Sequence, residues 1–141
     1  MPISLTSTKL PWPVMNDPVA ARFPTGGWLV ACREGAGVVH DGEFKPLDLP
    51  GVVTAAHHDG RRTWVALAEL QGATHVAKAI GVFSPDFSLR YPLEVVGPQA
   101  RPVPWMTVVG EHVLLSSTLA GAPVLKNLPL HGARGWGVHP L

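Results

Sequence analysis

The stretch that decides the fold is Val52-Val53-Thr54-Ala55-Ala56-His57-His58-Asp59-Gly60-Arg61-Arg62-Thr63-Trp64-Val65-Ala66-Leu67. Two apolar runs of strand length flank His58-Asp59-Gly60-Arg61. Asp followed by Gly is turn chemistry: the carboxylate accepts from nearby amides, and Gly tolerates backbone angles closed to other residues. The stretch therefore predicts a β-hairpin. A helix from about Ala66 to Lys78 competes, because Ala, Leu, Glu and Gln are good helix formers, but Gly72 and Thr74 weaken it. Outward from this segment, 15 Gly and 15 Pro punctuate the chain, and the longest window free of Pro runs from Gly51 to Ser84. Few uninterrupted windows of helical periodicity remain, so the chain is expected to be all-β.

The same pattern recurs on either side. Phe44-Lys45-Pro46-Leu47-Asp48-Leu49-Pro50-Gly51 returns, 46 residues later, as Arg90-Tyr91-Pro92-Leu93-Glu94-Val95-Val96-Gly97, and more weakly as Asn127-Leu128-Pro129-Leu130-His131-Gly132. Upstream of these, Gly27-Trp28-Leu29-Val30-Ala31 matches Thr63-Trp64-Val65-Ala66-Leu67 and, loosely, Glu111-His112-Val113-Leu114-Leu115. Each follows a turn, at Thr25-Gly26-Gly27, Asp59-Gly60 and Gly110, and each turn follows another apolar segment. The units run from about Asp17 to Pro50, Gly51 to Gly97 and Pro98 to Gly132, each reading as four short antiparallel strands.

Units of this size and content resemble the blades of a β-propeller, in architecture and not through any one family's motif. Neither a WD dipeptide pattern nor a kelch double-glycine set is present. Asp59-Gly60-Arg61-Arg62-Thr63-Trp64 is similar to the Asp-box turn of sialidase-type blades, with Arg61 where that motif has Gly. A β-sandwich or open barrel is the alternative architecture. Propellers close at about four to eight blades. Three would leave unpaired sheet edges to be covered by another copy or by a larger partner.

Composition points the same way. Charged residues make up only 15% of the 141 residues against 46% hydrophobic, where soluble domains average about a quarter charged. Apolar surface left over tends to mark an interface. The net charge is +1 and the basic residues are scattered, with only Arg61-Arg62 adjacent. That excludes the concentrated basic footprint of a direct nucleic-acid binder. The start Met1-Pro2-Ile3-Ser4-Leu5-Thr6 lacks signal-peptide character, and no apolar stretch approaches a membrane span. A cytoplasmic assembly, or a virion built there, is the expected location.

Chemistry finds little support. The single cysteine, Cys32, lies in an apolar run and reads as a buried thiol. The seven histidines, at 40, 57, 58, 75, 112, 131 and 139, include no metal-ligand spacing, and adjacent His57 and His58 point to opposite faces of a strand. Asp41 and Asp59 each precede Gly and read as turn formers, and Asp48, Glu69, Asp86 and Glu94 form no evident catalytic pair. Ser116-Ser117-Thr118 has no nucleophile-elbow glycines, and Gly35-Ala36-Gly37 is no dinucleotide fingerprint. No cofactor, metal or catalytic residue is expected. Trp28 and Trp64 read as equivalent core positions facing the same side.

The expected organisation is an extended N-terminal arm over 1–16, a repeat domain over 17–132 and a C-terminal arm over 133–141. The arms carry aromatic anchors, Trp12 within Pro11-Trp12-Pro13 and Trp136 between glycines. Either they fold back on their own domain or they reach a neighbouring subunit. The functional expectation is a non-enzymatic structural subunit of a symmetric assembly, such as a phage or virus capsid or tail. Pro11, Trp12, Pro13 and Trp136 are its expected contact residues, and its partners are further copies or other subunits. A carbohydrate- or peptide-binding module of lectin type is the alternative.

Overall fold

The structure, a computed structural model, describes residues 7–71, 74–92, 103, 105–119, 122–129 and 137–140. Among these residues there are twelve strands and no helix. They form three four-stranded antiparallel sheets, and in each the spatial order follows the chain. The first sheet holds β1 (Val19–Arg22), β2 (Trp28–Cys32), β3 (Gly35–His40) and β4 (Glu43–Pro46). The second holds β5 (Val52–His58), β6 (Thr63–Gln71), β7 (Thr74–Phe83) and β8 (Phe87–Pro92). The third holds β9 (Met106–Val109), β10 (His112–Leu119), β11 (Ala122–Pro129) and β12 (Gly137–Pro140). None of the sheets closes into a barrel. The region that competed as a helix is the β6–β7 hairpin, paired from Thr63↔Phe83 to Gln71↔Thr74.

The sheets stack in chain order, with the second in the middle. Its first strand, β5, packs against β1, β2 and β3 on one side and against β9 on the other. Alternation along the strands then produces two cores. Val53, Val65, Leu67 and Phe83 face the first sheet and meet Leu29 and Ala31. Ala55, Trp64, Ala66, Ile80 and Val82 face the third and meet Met106, Val113 and Leu115. A sheet covered on both faces needs apolar residues at consecutive positions, and 63–68 and 79–83 are buried without a break. This is the physical reason for the unbroken run after Asp59.

Three register shifts interrupt the second sheet, one of them where Ile80 faces Tyr91 and Gly81 faces Leu89, and the other two set the phase of the cores. The register slips between Val53 and Ala55, so Ala55 faces the third sheet while Val53 and Ala56 face the first. A second slip sets Leu67 opposite Ala79 and Ala68 opposite Ala77, leaving Lys78 as the extra residue. An inserted residue reverses the two-residue alternation beyond it. Lys78 uses the displacement: its ammonium donates to the Pro50 carbonyl at 2.8 Å and lies 3.6 Å from Glu69.

The recurring sequence segments fall at equivalent points in two of the sheets and at a different point in the third. The Pro-Leu-acid segments follow equivalent points, because β4 ends at Pro46 and β8 at Pro92. The weaker third copy is not equivalent: Pro129 ends β11, the third strand of its sheet. The stretch expected as a C-terminal arm instead contributes, over Gly137–Pro140, the fourth strand, paired with Val124–Asn127. Trp64 is buried at 1% exposure, but Trp28 is 55% exposed. Their expected equivalence fails because Trp28 is the first residue of β2, aligned with Thr63, and so points to the other side of its sheet.

Candidate interaction faces

Among the described residues two sheet faces have no sheet against them: the side of the first sheet turned away from the second, and the side of the third turned away from the second. The strand register says which residues lie there. On the first sheet one row reads Arg22, Trp28, Val39, Phe44, and the next reads Ala20, Val30, Gly37, Pro46. On the third sheet the rows are Val109, His112 and Thr107, Leu114, Asn127. The Ser116 amide donates to the Trp105 carbonyl at 3.2 Å, which extends that face by one more pair, Trp105 and Ser116, with Leu125 beside it. Trp105 is 49% exposed and Val109 58%. Large apolar side chains in contiguous rows are what an interface requires.

Each sheet keeps its two outer strands as edges, and the faces of the first and third sheets turned away from the second add to the uncovered surface. Each sheet is complete as a four-stranded meander, and the sheets meet through side chains. The two outermost faces are therefore left open. The cost of leaving them so is apolar exposure, about 25 cal/mol per Å².

One open face is partly covered. The segment before β1 is held at the β2–β3 turn, where the Asn16 amides donate to Glu34 at 2.7 and 2.6 Å and the Asn16 carbonyl accepts from the Arg33 amide at 2.9 Å. The two Asn16 bonds, backbone first, hold the Glu34 carboxyl below its ordinary range. Arg33 pairs with Asp17 at 2.7 Å. From this anchor the chain lays Trp12 over Gly35 and edge-on to Phe44, with ring centres 5.2 Å apart and planes at 82°. Pro11 and Pro13 on either side are exposed. So the expected contact residue Trp12 packs against Phe44 and Gly35 of the first sheet, and Trp136 lies outside the described residues.

A pairing of glycine with phenylalanine recurs in the first two sheets. Phe87 lies over Gly81, where an added Cβ would stand 2.4 Å from the ring, and Phe44 lies over Gly37, where it would stand 2.2 Å away. Both glycines are two residues before the strand partner of the phenylalanine, Phe83 in one sheet and Val39 in the other. In the second sheet Phe87 packs on Phe83 at 5.0 Å, and Phe83 on Phe23 from the turn after β1 at 5.0 Å. In the first sheet Val39 replaces the aromatic, and the ring beside Phe44 is Trp12. The spacing Gly37-Val38-Val39 to Phe44 and Gly81-Val82-Phe83 to Phe87 was visible, but turns of unequal length hid it.

The Asp59 turn is structural. Asp59 Oδ1 accepts from the Arg61 and Arg62 amides at 2.9 and 2.8 Å, and Oδ2 from the Trp64 indole at 2.9 Å. The Arg62 guanidinium lies 5.1 Å over the Trp64 ring and 3.4 Å from the carboxylate. Burial opposes ionisation, but the indole, the two amides and the guanidinium outweigh it and hold the carboxyl at about 2. Thr63, fully buried, donates from its hydroxyl to the Arg22 carbonyl and ties this hairpin to the first sheet.

Other groups show no convergence. A cleft of about 440 Å³ opens where β1 and β5 begin, lined by Asp17, Val19, Arg33, Thr54, His75 and Val103, and its guanidinium is the one paired with Asp17. Among the described residues no three of His, Cys, Asp and Glu come together as a metal site. Cys32 is buried at the end of β2, and that burial pushes its thiol up. No helix among the described residues is long and apolar enough to cross a membrane. No family model, curated protein or solved structure matches the chain.

Proposed function

We propose that the chain is a non-enzymatic structural subunit whose sheets are three blades of a propeller-like ring, completed by a second copy of the same chain. The observation that carries this reading is the pair of open, Trp-bearing faces at the two ends of the stack. Each face corresponds to one that is buried elsewhere in the same molecule: the outer face of the first sheet to the side of the second that meets the first, and the outer face of the third to the side of the second that meets the third. Head-to-tail contact of the two would repeat the existing packing. Three sheets per chain reach the range of about four to eight blades with two copies and no other number. A two-fold axis through the ring would make both contacts identical, as closed symmetry favours. The low charge content supports burial of these faces. A phage or virus capsid or tail belongs to the proposal on the same grounds, as a setting where subunits of low charge and apolar end segments assemble by symmetry.

Sedimentation velocity tests this. The wild type should sediment at twice the monomer mass, and Trp28→Glu and Trp105→Glu, each blocking one face, should each remove the closed dimer. Mixed together, the two variants still hold one intact face each and should form a one-contact heterodimer. A wild type that stays monomeric, or variants that dimerise like it, would reject the reading. The exposed indoles of Trp28 and Trp105 also favour a carbohydrate- or peptide-binding module as a second reading. Glycan-array signals from a monomeric wild type, lost in Trp28→Ala, would replace the first reading with this one.

A further inference from the structure

We infer that the cleft where β1 and β5 begin is a binding site for a free α-amino acid with an aliphatic side chain. Its groups make no catalytic constellation, but they match such a ligand group by group. The cleft lies within one chain, so the inference is independent of the ring reading. Its floor is apolar. Val19 and Val53 come from the core between the first and second sheets, Val103 from the core between the second and third, and Val52 opens β5. The β6–β7 hairpin supplies a wall. Val52 pairs with Ala68, and the hairpin pairing continues to Gln71↔Thr74, which carries His75 past the start of β5. The volume, about 440 Å³, lies within the range of about 300–1,000 Å³ found for small-ligand pockets.

Beside the valines stands a fixed pair of opposite charges. Arg33 donates from Nη2 to Asp17 Oδ2 at 2.7 Å, and both side chains are more than half exposed. Among the described residues neither side chain makes another hydrogen bond, so Asp17 Oδ1 and the other guanidinium N–H groups are open. An exposed pair of this kind contributes little to stability, yet its backbone is held from both sides. The Arg33 amide donates to the Asn16 carbonyl at 2.9 Å, and Asn16 donates twice to Glu34. Asp17 also takes a left-handed φ of 52°. Asp41, the other such residue among those described, precedes Gly42 in the β3–β4 turn, whereas Asp17 precedes Pro18 and closes no hairpin. Residues other than glycine stay in that region only where their surroundings hold them, and such positions gather at ligand sites.

An α-amino acid carries an ammonium and a carboxylate on one carbon. The ammonium donates to Asp17 Oδ1, the carboxylate accepts from the open N–H groups of Arg33, and the side chain leaves water for the valines. A ligand with only the carboxylate meets Asp17 as a like charge, and one with only the ammonium meets Arg33 so. A peptide terminus carries one of the two charges and is disfavoured for the same reason.

The test is an amide-resolved NMR titration of the full chain with L-leucine. Shifts should centre on the amides of Arg33, Thr54 and His75 and fit a dissociation constant of about 1 mM or below. Isocaproate and isoamylamine, which keep the side chain with one charge each, should bind at least about tenfold more weakly. This series uses the wild type and so does not depend on the folding of any variant. Arg33→Gln and Asp17→Asn should each lose the shifts while keeping a dispersed amide spectrum, and Trp105→Ala should retain them. No response to millimolar leucine, shifts centred away from the cleft, or equal affinity for either analogue overturns the inference. Leucine binding by a wild type that stays monomeric supports it and rejects the ring reading.

Discussion

Replacing Asp59 with Asn is a sharp test of the energetics, because one carboxylate serves three donors in the central hairpin. Its pKa falls from 3.8 to about 2 on folding. At about 1.4 kcal/mol per unit, that shift amounts to about 2 kcal/mol of stability. The side chain is only 12% exposed, so solvent screening takes little of this away. The folded value is depressed, so the contribution is complete above the ordinary carboxylate range and disappears as pH falls through about 2. Asn keeps the shape and one acceptor but turns an amide donor toward the indole N–H. Urea unfolding of both proteins at low concentration, from pH 7 down to pH 2.5, should show a gap of about 2 kcal/mol at neutral pH that narrows below pH 4. A gap that does not change with pH, or one below about 0.5 kcal/mol at pH 7, would refute the assignment of the turn's stability to the ionised carboxylate.

Other perturbations separate core from surface. Trp64→Ala should cost about 3–5 kcal/mol in urea unfolding, while Trp28→Ala should cost under about 1 kcal/mol in the monomer. Equal losses would mean that the two faces are not distinguished as described. Gly81→Ala should destabilise by about 1–3 kcal/mol, because its new methyl meets the Phe87 ring, and Phe87→Leu in the same chain should recover part of that loss. Asn16→Ala should raise hydrogen exchange and proteolysis in the segment before β1 without moving the midpoint of thermal unfolding by more than a few degrees, since exposed polar contacts of this kind are worth at most about 1 kcal/mol.

Much of the fold was legible because alternation and turn chemistry agree. Asp59-Gly60 marked the hairpin, Asp41-Gly42 closes β3 to β4 with positive φ at both residues, and Gly110 marked the turn of the third sheet. What sequence reasoning lost was phase. Trp28 and Trp64 look alike in a linear alignment, but loops of different length before β2 and β6 shift one relative to the other by one residue. One residue in a strand is the difference between core and surface. The bulges at Thr54 and Lys78 carry no distinctive side chain and could not be read in advance. The fourth strand of the third sheet was mistaken for an arm because Gly132-Ala133-Arg134-Gly135-Trp136 resembles a linker more than a strand. Trp12 was singled out from its Pro-flanked setting, yet its seat on Phe44 depends on Gly37 and Gly35, residues that read as ordinary glycines until their neighbours are placed.

The central claim is that three stacked sheets with two open, tryptophan-bearing faces form half of a closed ring. Native mass spectrometry of the purified full chain, at concentrations from nanomolar to tens of micromolar, addresses it directly. The account predicts a discrete dimer that replaces the monomer as concentration rises and stops there, because the ring leaves no face open. A chain that stays monomeric across the range, or grows into a ladder of higher oligomers without a closed species, contradicts it.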